Sequence, residues 1–270
     1  MTQDWQGKPR GILRHDWNEQ QVVLGRFEPS EWAEPFVEYF WSAQWDLRGH
    51  PPRIEESLPH PCVHLVLERG DSNVFGVMRK RFVRELSGLG QVFGIKFRPG
   101  GFTPLVTWPV SNITDVQLPV AKVFGAEADR LERQVLDAPD SNEQVGFAEA
   151  FLRARLTTPD DDLIEIRAWV DAIAEDHMIL KVADLADVFQ TNVRRIQRQF
   201  QRHVGVGPKW VIQRYRLHEA LERVAQGKVL NWAIFALNLG YTDQAHFIRD
   251  FKLSVGTTPE AFARTYRTDE

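Results

Sequence analysis

Basic and amide side chains recur at helical spacing in one short stretch of the C-terminal half, residues 193–204. Arg194, Gln197, Arg198 and Gln201 share one face of the predicted helix, opposite an apolar stripe. Guanidinium and amide groups at this spacing can form paired hydrogen bonds with phosphates or with the edges of bases. A merely solvated helix face is the plainer interpretation of the same pattern.

A second stretch, "GYTDQAHFIRDFK", residues 240–252, has a similar design. Thr242 or Asp243 is a good helix cap, and Phe247 and Phe251 lie four residues apart on one stripe. The remaining residues are expected to point outward: Ala245, Ile248, Arg249 and Lys252.

The two stretches belong to an internal repeat. At an offset of 51 residues, "RQFQRHVGVGP" (198–208) aligns with "RDFKLSVGTTP" (249–259), with identical Arg, Phe, Val, Gly and Pro at five positions. Each copy is predicted to be two short helices joined by a tight turn, over about residues 181–204 and 231–254. Asn192 is predicted to cap the second helix of the first copy.

A long helix is predicted between the copies, over "PKWVIQRYRLHEALERVAQG" (208–227), which has no internal Gly or Pro. About 18 helical residues extend roughly 27 Å. Successive major grooves on one side of B-DNA are about 34 Å apart. A connector of this length therefore favours placing the second helix of each copy in adjacent grooves.

These residues resemble the AraC/XylS class of bacterial transcription regulators, over residues 163–267. "LGYTDQAHFIRDFK" and "VGTTPEAFAR" are similar to the second helix-turn-helix unit of that class. The resemblance implies a sequence-specific regulator that binds double-stranded promoter DNA, acts with RNA polymerase and is a homodimer in the cytoplasm. It implies DNA contacts by Asn192, Arg194, Arg195, Gln197, Arg198, Gln201, Asp243, Gln244, Ala245, Ile248, Arg249 and Lys252.

Four positions depart from the usual pattern of that class. Gly207 and Thr258 stand where serine is common, and Phe235 where isoleucine is common; these affect caps or core only. Ala245 corresponds to Arg194 and offers little to a base edge, so the second unit is expected to read less sequence than the first.

The N-terminal half alternates short β-rich segments with turns and ends in two helical patterns, residues 120–137 and 142–156. We expect an α+β chain: a small antiparallel β-sandwich or barrel, cupin-like, with two helices, followed by the all-α C-terminal domain. "LPHPCVHLVLERG" and "VFGIKFRPGGFTPL" resemble a subgroup of AraC-type regulators whose N-terminal domain has no agreed function. That resemblance implies a sensor or dimerisation module.

His60, Cys62 and His64 alternate, and on one strand they would present donors that zinc or copper prefers. Pro61 weakens this interpretation, because proline disfavours a central strand. No metal or cofactor is therefore predicted. Two other interpretations remain: a strand with Cys62 or His64 buried, or a small-molecule effector pocket. The residues assigned to that pocket are Trp41, Trp45, Cys62 and His64.

The chain has no glycine-rich phosphate loop, nucleophile elbow, His-Glu-x-x-His or Cys-x-x-Cys motif, so an enzyme is not expected. A cupin-like metal-dependent enzyme or metal sensor fused to the DNA-binding half is the alternative.

Charge divides the chain into two unlike halves. Residues 1–162 carry 18 Lys+Arg against 24 Asp+Glu, a net of -6, and residues 163–270 carry 15 against 13, a net of +2. Between them, 157–162 is predicted to be a linker that joins an effector-binding or dimerisation domain (1–156) to the DNA-binding domain (163–270). A single cysteine fits a reducing cytoplasm, and neither a signal peptide nor a membrane span is predicted.

Overall fold

The N-terminal half is built on antiparallel strands, in a computed structural model that describes residues 21–226 and 231–267. The strands are β1 (Val22–Phe27), β2 (Val37–Leu47), β3 (Arg53–Ser57), β4 (His64–Glu68), β5 (Asn73–Phe75), β6 (Phe82–Leu86), β7 (Gly88–Phe97) and β8 (Gln117–Pro119). Six of them form one sheet in the order β1-β2-β7-β4-β5-β8, and β3 pairs with β6 in a separate ribbon. The predicted α+β class with an antiparallel N-terminal domain is confirmed.

Three helices follow the sheet: α1 (Val120–Phe124), α2 (Glu127–Leu136) and α3 (Ser141–Arg153). Helix α2 packs on β4 and β7, and α1 and α3 pack against α2. The pattern over residues 120–137 predicted a single helix, which was wrong. Gly125 has a φ of +63°, and this left-handed residue separates α1 from α2. The sheet and helices enclose a core that includes Phe40, Leu65 and Phe93.

The C-terminal half consists of helices: α4 (Asp161–Glu175), α5 (Val182–Val188), α6 (Val193–Gln199), α7 (Pro208–Ala225), α8 (Trp232–Asn238), α9 (Gln244–Val255) and α10 (Pro259–Arg267). Helix α4 begins inside the segment predicted to be a linker. The Asp160 carboxylate accepts a hydrogen bond from the Leu163 amide at 2.9 Å, and the acids at 161 and 162 suit the positive end of the helix dipole.

Helix α7 joins two apolar cores. Its first half contributes Val211 and Ile212 to a cluster with α4, α5 and α6, and its second half contributes Leu217 and Leu221 to a cluster with α8, α9 and α10. Its 18 residues run without interruption from Pro208, as the sequence predicted. Both helix pairs are therefore packed on one connector.

Hydrogen bonds also join the two halves of the chain. The Glu34 carboxylate accepts from Arg167 on α4 at 2.7 and 2.9 Å, and Thr114 Oγ1 donates to the Gly205 carbonyl at 2.6 Å. Arg214 on α7 donates to the Arg79 carbonyl at 2.7 Å. In the described part of the chain, no helix is both long enough and apolar enough to cross a membrane.

Candidate nucleic-acid interface and N-terminal cavity

The first helix-turn-helix unit consists of α5 and α6. The Asn192 side chain accepts from the Arg195 amide at 2.8 Å and caps α6, as predicted. After Gln199 the chain makes one wider turn, in which the Gly205 amide donates to the Phe200 carbonyl at 2.9 Å. Gly205 then ends the helix with a φ of +98°.

The outer face of α6 is free of the protein's own core. Arg194, Gln197, Arg198 and Gln201 are all exposed, whereas Ile196 is fully buried. The sequence therefore predicted the inward and outward sides of this helix. Four neighbouring polar side chains, two of them cationic, lie on a surface that a DNA groove can contact.

Arg195 differs from its neighbours because it is paired within the protein. Its guanidinium donates to Glu165 on α4 at 2.8 Å, and this hydrogen bond raises the pKa of Arg195 above its ordinary value. The Asn192 side chain is likewise occupied by the cap. Asn192 and Arg195 both border the outer face of α6, and their hydrogen bonds within the protein hold this helix in position.

The second unit consists of α8 and α9 and repeats the same caps. The Asp243 carboxylate accepts from the His246 amide at 2.7 Å, and Gly256 ends α9 with a φ of +87°. Gln244, Ala245, Arg249 and Lys252 are exposed on α9. The predicted placement of Ile248 was wrong: its side chain is half-buried and packs against the surrounding apolar cluster.

Tyr241, which the sequence analysis did not single out, fixes the start of α9. Its hydroxyl donates to Asp250 Oδ2 at 2.6 Å, and its buried ring packs against Phe247 at 5.2 Å between centroids. In the sequence, only its place in the turn before the cap pointed to a role for Tyr241. Tyr241 thus connects the turn between the two helices to the middle of the outer helix.

A cavity of about 290 Å³ lies in the N-terminal half, between the six-stranded sheet and the β3–β6 ribbon. All four predicted pocket residues line it: Trp41, Trp45, Cys62 and His64. Trp41 and His64 are neighbours, with ring centroids 6.4 Å apart. The Trp45 indole donates to the Ser87 carbonyl at 3.1 Å, which fixes that ring.

Two glycines on β7 explain how the indoles fit. Trp41 and Trp45 on β2 pair with Gly94 and Gly90 on β7, and a Cβ at either glycine would collide with the opposite ring. Each indole can therefore lie against the β7 backbone. This arrangement depends on strand register, which the sequence alone did not specify.

An ion pair between buried Lys96 and half-buried Glu38 lies at one end of the cavity. Lys96 Nζ is 3.0 Å from Glu38 Oε1, and Cys62 Sγ donates weakly to the other oxygen of Glu38 at 3.7 Å. Burial raises the pKa of the Cys62 thiol, and burial beside Lys96 lowers the pKa of His64 to about 3. Cys62 is therefore a thiol and His64 a neutral imidazole at pH 7.

His60, Cys62 and His64 do not converge on one point. Only His64 lies in strand β4, and His60 stacks instead on His218 of α7, with ring centroids 3.9 Å apart. Over residues 21–226 and 231–267, no group of three or more His, Cys, Asp or Glu side chains has the geometry of a metal site.

Two domain families match the chain. Residues 25–119 match a domain of unknown function, DUF6597, and residues 185–265 match a helix-turn-helix domain of the AraC type. The second match covers both units and the connector, so the predicted resemblance to AraC-type regulators is confirmed.

Similar solved structures include a protein of unknown function from Listeria innocua, with 27% identity over 40% of this chain and 99% of that chain, at a TM-score of 0.33. ToxT from Vibrio cholerae O395 is 12% identical over 91% of this chain and 97% of that chain, at a TM-score of 0.38. An unsaturated fatty acid bound ToxT from V. cholerae is 10% identical over 92% and 97%, at a TM-score of 0.34. None of the curated proteins matches this chain.

Proposed function

We propose that this chain, which carries an AraC-type helix-turn-helix domain behind a DUF6597 domain, is a sequence-specific, effector-controlled transcription regulator. The observation that carries the proposal is the repeated unit. In each copy a capped helix buries an apolar stripe that includes phenylalanine, and exposes a row of polar side chains with an arginine at the same position, Arg198 and Arg249. This is the arrangement that a helix needs to enter a major groove.

The connector supports binding by both units at once. Helix α7 has 18 residues, roughly 27 Å in length, and is packed at both ends. A rigid connector of that order, together with the width of the units, suits two adjacent major grooves about 34 Å apart. We therefore infer a bipartite site of two short sequence blocks on one side of the DNA.

Different side chains are proposed for different contacts. Arg194 and Arg198 are suited to paired hydrogen bonds with guanine or to phosphate, and Gln197 and Gln201 to adenine. Arg249 and Lys252 contact the DNA in the second unit, with Gln244 and Ala245 near the helix start. Asn192 approaches the phosphate backbone while it caps α6, and Arg195 does so by exchanging Glu165 for phosphate. Asp243, whose carboxylate is repelled by phosphate, serves this surface by capping α9, and Ile248 packs beneath it.

The N-terminal half is proposed to control the DNA-binding half as an effector-binding and dimerisation module. Its cavity is lined by Trp41, Trp45, Cys62 and His64 and lies beside residues that touch α7. Exposed Val23 and Leu89, at 61% and 66%, add apolar surface on which a second copy can pack. We place the regulator in the bacterial cytoplasm, with promoter DNA and RNA polymerase as its partners.

Selection from a pool of random DNA duplexes by the full-length protein tests this function. Recovered duplexes should share a motif, and their affinity should fall steeply as salt rises because phosphate contacts release counterions. Duplexes in which the motif is scrambled are the matched control. Recovery of no shared motif, or equal affinity for motif and scrambled duplexes, would show that the protein does not read sequence.

A further inference from the structure

The side chains that line the N-terminal cavity determine the charge and the shape of the ligand that it can bind. One face of the six-stranded sheet forms its floor, where Trp41 on β2 faces Gly94 on β7 and Val66 on β4 pairs with the same glycine. The β3–β6 ribbon forms its roof and supplies Phe82 and Leu86. The inference drawn from this cavity rests on the proposed role of the N-terminal half as an effector module.

Every ionised side chain that the structure describes in the cavity wall has a partner of opposite charge. Lys96 pairs with Glu38, and Arg84 on the ribbon donates to Glu68 at 2.6 Å. The two acidic residues of the wall are paired in the same way. These pairs are Glu55 with Arg53 at 2.7 Å and Glu56 with Arg81 at 3.1 Å. An ionised ligand would have to replace one of these partners or stay buried without one, and both are costly.

The remaining titratable groups of the wall are uncharged at pH 7. Burial lowers the pKa of His60 and of His64, and burial raises the pKa of Tyr39 and of Cys62. The two imidazoles, the phenol and the thiol therefore offer hydrogen bonds without net charge. The wall as a whole is electrically neutral.

The shape of the cavity favours flat rings. The indoles of Trp41 and Trp45 lie on the floor, and Phe75 and Phe82 close one side with ring centroids 5.7 Å apart at an interplanar angle of 87°. Aromatic ligands pack on such surfaces in stacked and edge-to-face arrangements. A volume of about 290 Å³ is near the lower end of the range of small-molecule sites, roughly 300 to 1,000 Å³.

We propose that this cavity binds a compact, uncharged aromatic molecule of about the size of a two-ring compound, and that this molecule is the effector of the regulator. The floor supplies the stacking surface, His64 and Tyr39 supply hydrogen bonds, and the paired charges exclude ionised relatives of the same ring.

The ribbon that covers the ligand also touches the DNA-binding half. Leu58, next to the end of β3, is buried in the core of the second unit, and His60 stacks on His218 of α7. The Arg81 guanidinium lies against Gly256, the residue that ends α9. A ligand that shifts the ribbon therefore acts directly on the connector and on the second unit.

Calorimetric titration of the full-length protein with three naphthalenes that share one ring system tests the ligand class. Neutral 2-naphthol should bind, and the 2-naphthoate anion and the 2-naphthylmethylammonium cation should bind at least about tenfold more weakly. Ala43→Phe, which adds a ring to the floor between the two indoles, should abolish binding of 2-naphthol. Val83→Phe, on the exposed outer face of the ribbon and outside the cavity wall, should leave it unchanged.

Melting curves establish that each variant is folded. If Ala43→Phe does not fold, Leu24→Phe replaces it, because Leu24 on β1 pairs with Ala43 and lines the same floor. The proposal is overturned if 2-naphthol does not bind, if either ion binds as tightly, or if a folded floor variant still binds. These titrations contain no DNA, so their outcome is separate from that of the proposed function. With a selected duplex present, 2-naphthol should change DNA affinity in the wild type and not in the floor variant.

Discussion

Neighbouring arginines on α6 differ in exposure and in partner, which their sequence positions do not reveal. Arg194 and Arg198 are exposed, whereas Arg195 is engaged with Glu165 on α4. The exposed pair can contact DNA without breaking an internal ion pair. Arg195 can reach DNA only in competition with Glu165.

We expect Arg198→Ala to lower affinity for the selected site by about 1 to 3 kcal/mol if the guanidinium reads a base. If it contacts only phosphate, affinity should fall similarly on all sequences, and the slope of log affinity against log salt should shrink by about 1. The melting temperature should stay near that of the wild type, because Arg198 lies outside the apolar stripe. Arg130→Ala, at an exposed position on α2, is the matched control. Early melting, or unchanged binding, would show that the wrong face of α6 was assigned.

His64 should make stability depend on pH. Its pKa is lowered to about 3 in the folded protein, mainly by burial, so between about pH 6 and 4 only the unfolded chain takes up this proton. The free energy of unfolding should therefore fall on acidification, by about 1.4 kcal/mol per pH unit from this residue. Chemical unfolding of the wild type and of His64→Phe across this range measures the difference in slope. Equal slopes would mean that His64 is not held neutral.

At the scale of elements, the repeat was well specified by sequence because its signals are local. The caps at Asn192 and Asp243 act within a few residues of the chain, and both agree with the sequence prediction. The left-handed glycines and the proline at the start of α7 are equally local. Strands β3 and β8 give little sequence signal, since they are short and lack clear alternation. The break at Gly125 is a local effect of its positive φ, whereas the inward packing of Ile248 depends on tertiary contacts that a helical pattern does not encode.

Phe200→Ala should destabilise the first unit by roughly 3 to 5 kcal/mol, because the side chain is fully buried. Its ring stacks on Trp169 of α4, with centroids 6.2 Å apart at 7° between planes. Hydrogen exchange should show increased opening of α5 and α6, with less change in α9, which packs in a separate cluster. Gln201→Ala, at the adjacent exposed position, is the control. Uniform loss of protection in both units would contradict this division.

At the scale of the whole molecule, the cavity and the contacts between halves could not be derived from sequence. Trp41, Trp45, Cys62 and His64 all line one cavity, but the ribbon above them requires the pairing of β3 with β6. The two halves also share core residues: Leu163 of α4 packs in the N-terminal core, and Val77 packs with α4 and α5. Such pairings join residues distant in sequence, for which local patterns give no signal.

A fragment that starts at residue 157 should fold and bind the selected site with salt-dependent affinity, since it keeps both units and the connector. It should melt at a lower temperature than the full chain, because Leu163 and Ile166 lose contacts with the N-terminal half. Circular dichroism melts and DNA titration measure both properties. An unfolded fragment would show that the halves form one folding unit.

We propose that α6 and α9 read two separate blocks of one DNA site. Selection from random duplexes with the wild type, Arg198→Ala and Arg249→Ala tests it most directly. The wild-type motif should contain two blocks about 10 base pairs apart, centre to centre. Arg198→Ala should remove base preference in one block, and Arg249→Ala should do so in the other. A wild-type motif with a single block, or one that both variants leave unchanged, would contradict the account.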